Sequence, residues 1–319
     1  MKAFAVDLGG THITVAVVED RQIVASQTIA QPPAAGLRPL LPLLAATLRD
    51  LSNCSTRSIT DVAGIALGFC GIVDSRAGRV QSTNGKYPDA AEIDFHSWSR
   101  ENFDLPLRLE NDARMALMGE HYAGAAEGFQ DVAMVTLGTG IGSAVMIEGK
   151  LLQGKHGQAG SLGGHVPVVL QGRACTCGGE GCAESEASGW ALPRLCQSWA
   201  NFPQSELAGQ EINFANLFRC AASGDPIAKA IQQHCMDVWV ATGVALVHAY
   251  DPELLIFGGG VMRSAAVIVP YLQARIPGRV WTPWGKVQIR SARPGNESAL
   301  LGAIPMLSTS PSDVRTNVR

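Results

Sequence analysis

Three cysteines within eight residues, Cys175, Cys177 and Cys182, enclose Gly178, Gly179 and Gly181. In a long chain, thiols this close favour a metal over a disulfide framework, and glycines let the backbone bend tightly around an ion. His165, ten residues before Cys175, supplies a fourth donor, and a Cys3His set closes a tetrahedron suited to structural Zn2+ with no open position for catalysis. Two glycine turns suit a different ligand. Gly9, Gly10 and Thr11 form one, and Gly138, Thr139, Gly140 and Gly142 the other. Where no side chain obstructs, backbone N–H groups can approach phosphate oxygens. Tight turns also need glycine with no ligand, so the pair says more than either turn alone. A third run, Gly258 to Gly260, follows an apolar strand; Gly258 and Gly259 are placed either to lie against a nucleobase and ribose or simply to turn into a helix. Asp112 follows Asn111 where a strand gives way to a helix. An aspartate there can accept a hydroxyl proton during phosphoryl transfer, although that position also favours N-capping.

The elements that would position these residues alternate between strand and helix. Residues 4–20 and 132–149 each read as strand, glycine turn, strand, and Leu8, Gly9 and Glu19 match Leu137, Gly138 and Glu148 at a constant offset of 129. Two copies of one hairpin predict two related halves. Between them, leucines at 37, 40, 41, 43, 44, 48 and 51 mark a helix, residues 62–73 return to strand, 105–109 form another strand, and 113–124 a helix. Asp225 and Pro226 supply an N-cap and first-turn proline for a helix reaching His248, which feeds the strand 254–257. A short apolar helix covers about 299–307, followed by a loose tail. The pattern is α/β, with sheets covered by helices.

The 25 basic and 28 acidic residues give a net charge of −3, which argues against a polyanion-binding surface, so nucleic acid is not the expected partner. The start, MKAFAVDLGG, is too short and too acidic for a secretory signal, and the apolar stretch 238–247 is half the ~20 residues a span needs. A cytoplasmic chain without membrane contact is expected. The other five of the eight cysteines, Cys54, Cys70, Cys196, Cys220 and Cys235, read as plain reduced residues.

No GxxxxGK followed by Ser or Thr occurs, and each glycine turn leads into a strand where a dinucleotide fingerprint needs a helix. Instead DLGGTHI at 7–13, GFCGIVD at 68–74, ENDA at 110–113, GTGIG at 138–142, GGH at 163–165, CTCGGEGCAE at 175–184 and FGGGV at 257–261 resemble, in order and spacing, the ROK family of bacterial sugar kinases. The resemblance spans nearly the whole chain. It implies an actin-like (ribonuclease H-like) two-lobed ATPase fold with duplicated halves and a cleft between them, an ATP- and Mg2+-dependent transfer to a hexose or N-acetylhexosamine hydroxyl, usually at C6, and a homodimer.

Carried over to this sequence, the resemblance makes Asp112 the general base, Asn84, Asn111, Asp112, His165 and Glu184 sugar ligands, and Asp7 a carboxylate near hydrated Mg2+. ATP would lie on Gly9, Gly10, Thr11, Gly138, Thr139, Gly140, Gly142, Gly258 and Gly259, and Zn2+ on His165, Cys175, Cys177 and Cys182. The expected division is a small α/β domain over 1–113 and a large one over 114–319 bearing the zinc loop, with the helix at 299–307 packing back on the small domain. Leu162 stands where the family pattern has a glutamate, three residues before the zinc histidine, so a carboxylate acceptor for sugar hydroxyls is missing. Cys70, where proline is frequent, and His12, where lysine or asparagine is commoner, are milder departures. The alternative reading is a sugar-binding regulator or a kinase-like protein without turnover. A first hairpin starting at Phe4 leaves no room for the DNA-binding domain of the family's repressors.

Overall fold

The computed structural model describes residues 1–30, 36–53, 61–83 and 85–308. Asn84, Cys54 and the tail beyond 308 lie outside the described residues. Contacts divide the chain into two units. The first comprises Met1–Glu127, Gly154–Gln158 and the stretch beginning at Asn296; the second comprises Gly128–Gln153 and Ala159–Gly295.

In the first unit β1 (Lys2–Leu8), β2 (Ile13–Glu19), β3 (Gln22–Ile29), β4 (Val62–Phe69) and, after the small hairpin β5 (Ile72–Asp74) and β6 (Arg79–Ser82), β7 (Leu107–Asn111) appear in chain order. They build one sheet, ordered β3-β2-β1-β4-β7, apart from the β5-β6 pair. β1, β4 and β7 run parallel, and their carboxyl ends align, with Asp7 beside Gly68 and Gly68 beside Glu110. Alternation along β1 sorts its side chains onto two faces. Phe4, Val6 and Leu8 join a core with Leu44 and Leu48 of α1 (Leu41–Asn53) and with Phe95 and Trp98 of α2 (Phe95–Phe103). Ala3 and Ala5 lie on the other face with Met115 and Ala123 of α3 (Asp112–Ala123), where small side chains admit close helix approach.

The second unit repeats this plan. β8 (Val132–Leu137), β9 (Ile141–Ile147), β10 (Lys150–Leu151), β11 (Leu254–Gly258) and β12 (Gln288–Ser291) form a sheet ordered β10-β9-β8-β11-β12. The duplication inferred from the hairpins therefore extends to whole sheets. Its register differs in one detail: Leu8 pairs with Ile13 across the first turn and Leu137 with Ile141 across the second, which is one residue shorter. Glu148 consequently corresponds to Asp20, not to Glu19, and both carry left-handed backbone, with φ of 50° and 49°. Around this sheet lie α4 (Ala183–Ala187), α5 (Leu192–Gln197), α6 (Phe214–Ser223), α7 (Pro226–Tyr250) and α8 (Ala265–Arg275). Asp225 Oδ1 caps α7 by accepting the N–H groups of Ile227 and Ala228. The apolar stretch of α7 packs in the core of this unit, through Val238, Trp239, Val240, Leu246 and Val247. No helix among the described residues is long and apolar enough to cross a membrane.

The last helices, α9 (Glu297–Leu301) and α10 (Ala303–Ser308), belong to the first unit, where Leu300, Leu301, Ala303 and Ile304 pack with Ala3, Ala5 and Met115. They break at Gly302, where an added Cβ would overlap the Met115 carbonyl. By contacts, the first unit's opening stretch runs to Glu127 and the second unit begins at Gly128. α3 lies within that stretch, and its Met115 and Ala123 pack in the first unit's core.

Candidate functional site

At the carboxyl ends of the first sheet, β7 ends in Asn111, which also N-caps α3 by accepting the Arg114 N–H at Oδ1 over 3.2 Å. Its Nδ2 donates to the Gly71 carbonyl at 3.1 Å and to Asp112 Oδ1 at 3.0 Å. The Ala113 N–H donates to that same Asp112 oxygen at 2.8 Å. Burial raises the Asp112 carboxyl above the usual carboxylate range, and Lys86 pulls it back down. Asp7 feels burial first and then the charge of Asp112, which push it up to about 7. Cys70, in the loop after β4, is pushed up to about 12 by burial and then by Asp112, so its thiol is protonated and unreactive at neutral pH. Asp7, Cys70, Lys86 and Asp112 thus form one electrostatic group at the sheet's end.

The adjoining turn is built from backbone. Gly9 donates its N–H to the His12 carbonyl at 3.1 Å, and its own carbonyl accepts the Tyr87 hydroxyl at 3.1 Å. Tyr87 reaches this position through left-handed backbone, with φ of 51°. Thr11 is exposed, its hydroxyl 3.0 Å from His12 Nδ1. His12 Nε2 lies 3.3 Å from Asn296 Nδ2, which also donates to Thr14 Oγ1 at 2.8 Å.

The equivalent turn of the second unit is organised the same way. The carbonyls of Gly138, Thr139 and Gly140 accept N–H groups of Gly189, Trp190 and Gly138 at 2.9, 2.9 and 3.0 Å. The turn's carbonyls are thus engaged by the protein, as are the N–H groups of Gly138 and Ile141. Gly142 lies in β9 opposite Thr136, outside the turn itself. Glu184, on α4, accepts the Ile141 N–H at 2.8 Å and the Trp190 indole N–H at 3.1 Å, and packs so closely that a Cβ on Gly140 would lie 2.6 Å from its Oε2. At the third glycine run, a Cβ on Gly258 would meet Met134 and Ala292, and Gly259, with φ of 89°, abuts Leu137. Packing against β8 therefore accounts for both glycines, while Gly260 faces open space.

His165, Cys175, Cys177 and Cys182 come together in this unit, their ligand atoms all within 4.8 Å of one another. The Sγ atoms of Cys177 and Cys182 are 3.7 Å apart, and Cys175 Sγ is 3.5 Å from His165 Nδ1. A tetrahedron with Zn–S bonds of ~2.3 Å has edges of about 3.8 Å, so the donor set fits Zn2+, whereas a disulfide would need ~2.0 Å. Burial raises Cys175 and Cys182; at Cys177 the Gly179 amide and neighbouring thiols outweigh burial and hold it below the usual thiol range.

A family model described as the ROK family matches residues 3–309. The chain belongs to the ROK family. Among its relatives, a glucokinase from Thermotoga maritima is 28% identical over 315 residues, covering 96% of this chain and 97% of that one. An N-acetylmannosamine kinase from Yersinia pestis is 30% identical over 314 residues, covering 97% and 99%. The crystal structure of a ROK family glucokinase from Streptomyces griseus, in complex with glucose and AMPPNP, matches with a TM-score of 0.82 at 28% identity, over 96% of this chain and 99% of that one. The two duplicated sheets are those of the actin-like ROK fold.

Several groups of this ROK chain were not singled out from sequence. Lys86, two residues past Asn84, acts on Asp112, and Trp190, which reads as a packing or surface aromatic, holds Glu184. The lysine's neighbourhood was signalled by Asn84, but nothing local announces the indole.

Proposed function

We propose that this ATP-dependent sugar kinase transfers the γ-phosphoryl group to the C6 hydroxyl of a hexose or N-acetylhexosamine, with Asp112 as general base. The observation that carries the reading is the placement of Asp112 beside Asp7 at the carboxyl ends of β1, β4 and β7, within a chain of the ROK family. Asn111 Nδ2 and the Ala113 N–H both engage Oδ1, which leaves Oδ2 to take the hydroxyl proton. The hydroxyl oxygen then attacks phosphorus as the bond to the ADP oxygen breaks.

The buried carboxyl of Asp7, beside a second carboxylate, suits a neighbouring cation. Mg2+ bound there through its water shell would neutralise charge on the phosphates. Gly9, Gly10 and Thr11 and Gly138, Thr139, Gly140 and Gly142 are the candidates for holding those phosphates, Gly258 and Gly259 for the nucleoside. Asn84, Asn111, His165 and Glu184 are the candidate sugar ligands, and Zn2+ on His165 and the three cysteines would fold the loop that carries Glu184. A cytoplasmic homodimer is the expected form; light scattering tests the assembly.

The test is sugar-dependent ADP release across hexoses and N-acetylhexosamines, with Asp112→Asn beside the parent. Release confined to one sugar group and lost in the variant supports the reading. Release at the parent rate in Asp112→Asn removes Asp112 from its role, and sugar binding without release by the parent protein favours the regulator.

A further inference from the structure

The base of the cysteine knuckle is tied by two side chains outside the ligand set. Arg173 precedes Cys175 by two residues and Glu186 follows Cys182 by four. Glu186 is 1% exposed. Its Oε1 accepts the Arg173 backbone N–H at 2.6 Å, and its Oε2 is ion-paired with the Arg173 guanidinium, which also donates to Ser198 Oγ at 3.2 Å. The Arg173 carbonyl in turn accepts the Gly181 N–H at 2.9 Å and the Ser185 hydroxyl at 3.0 Å, and that hydroxyl lies 2.9 Å from the Cys182 carbonyl. The chain entering the knuckle is thereby fastened to the chain leaving it through contacts that need no metal. Gly172 has no space for a side chain, since a Cβ would lie 2.5 Å from Glu186 Oε1 and 2.6 Å from the Gly181 Cα. His234 of α7 covers the carboxylate from the far side, its Nε2 4.0 Å from Oε2.

We propose that Arg173 and Glu186 form a clasp that pre-orders the knuckle and retards zinc release; this rests on reading His165, Cys175, Cys177 and Cys182 as a Zn2+ site. A loop free to open when a ligand bond breaks gains conformational entropy and lets the ion leave. One whose ends are already fastened gains less, and the broken bond re-forms. Both residues act through the ligands, so they are positioning residues. The clasp also fixes α4, on which Glu184 stands two residues before Glu186.

The test follows zinc transfer from the purified protein to a chromophoric chelator, with bound zinc measured by elemental analysis. Arg173→Met and Glu186→Gln are expected to release zinc about tenfold faster or more, and Arg173→Lys, which keeps the charge, to fall between. Thermal unfolding with and without chelator serves as the second measurement: the variants should lose more of the metal-dependent part of the melting temperature than of the metal-independent part. Release at the parent rate from zinc-loaded variants overturns the clasp, as does an equal melting loss in both conditions. A parent protein without stoichiometric zinc overturns the site reading, and the clasp with it.

Discussion

Asn111 Nδ2 lies 3.0 Å from Asp112 Oδ1, so the cap of α3 and the aspartate that opens it are bound to each other side chain to side chain. The contact favours the ionised carboxylate. Burial works the other way and prevails, which leaves Asp112 above the usual range. A base must be deprotonated to act, so kcat/KM is expected to fall, as pH drops, at a higher pH than the ~4 of an ordinary aspartate. Asn111→Ser keeps a cap acceptor for Arg114 but loses the donor, and Lys86→Gln loses the nearby positive charge. Each is expected to move the acidic limb upward by roughly half a unit to one unit. A limb that stays at the parent value in both variants would contradict the assignment.

Gly138 and Gly140 differ in what surrounds them. A Cβ on Gly138 meets nothing within 4 Å, whereas one on Gly140 lies 2.6 Å from Glu184 Oε2. Gly140→Ala should displace that carboxylate from the Ile141 N–H, at a cost of about 1–3 kcal/mol, and weaken sugar binding. Gly138→Ala should leave stability within about 0.5 kcal/mol of the parent. Thermal unfolding and KM values for both substrates separate the two.

Leu162 is 37% exposed, three residues before His165. Leu162→Glu restores a carboxylate acceptor at that position. The KM for the preferred hexose should fall about tenfold or more, with a narrower range of sugars accepted. An unchanged profile across the sugar panel would place this position outside the sugar site.

Arg114 and Glu110 form a buried ion pair at 3.4 Å, with side chains 1% and 5% exposed. Arg114 also donates to the Gly157 carbonyl at 2.9 Å. Arg114→Met takes the cation from a buried carboxylate, which keeps the Asn111 N–H, and should lower stability by about 3 kcal/mol. Adding Glu110→Leu should recover a large part of that loss in denaturant titrations.

Elements with strong local signals were legible from sequence: the hairpins at 4–20 and 132–149, the Asp225-Pro226 start of α7, and the Cys3His cluster. The register slip at Glu148 was not, because only strand pairing reveals that the second turn is a residue shorter. Nor was the packing of α3 against Leu300 and Ile304, which lie far along the chain. Trp190 and the Arg173–Glu186 pair escaped notice for a related reason: their partners are set by a loop fold, and no period or short spacing encodes it. The Asn84 assignment falls outside the described residues.

The first unit takes its core from both ends of the chain. Ala3, Ala5, Ala16 and Val18 on one face of its sheet are roofed by Leu300, Leu301, Ala303 and Ile304. On the ribosome the roof emerges long after the sheet that it covers. The core of the second unit includes none of the described residues beyond Gly295, so it can be complete while that face of the first sheet is covered by α3 alone. A nascent chain halted before Asn296 would therefore be a chaperone client, and the half translated first would be the half that matures last.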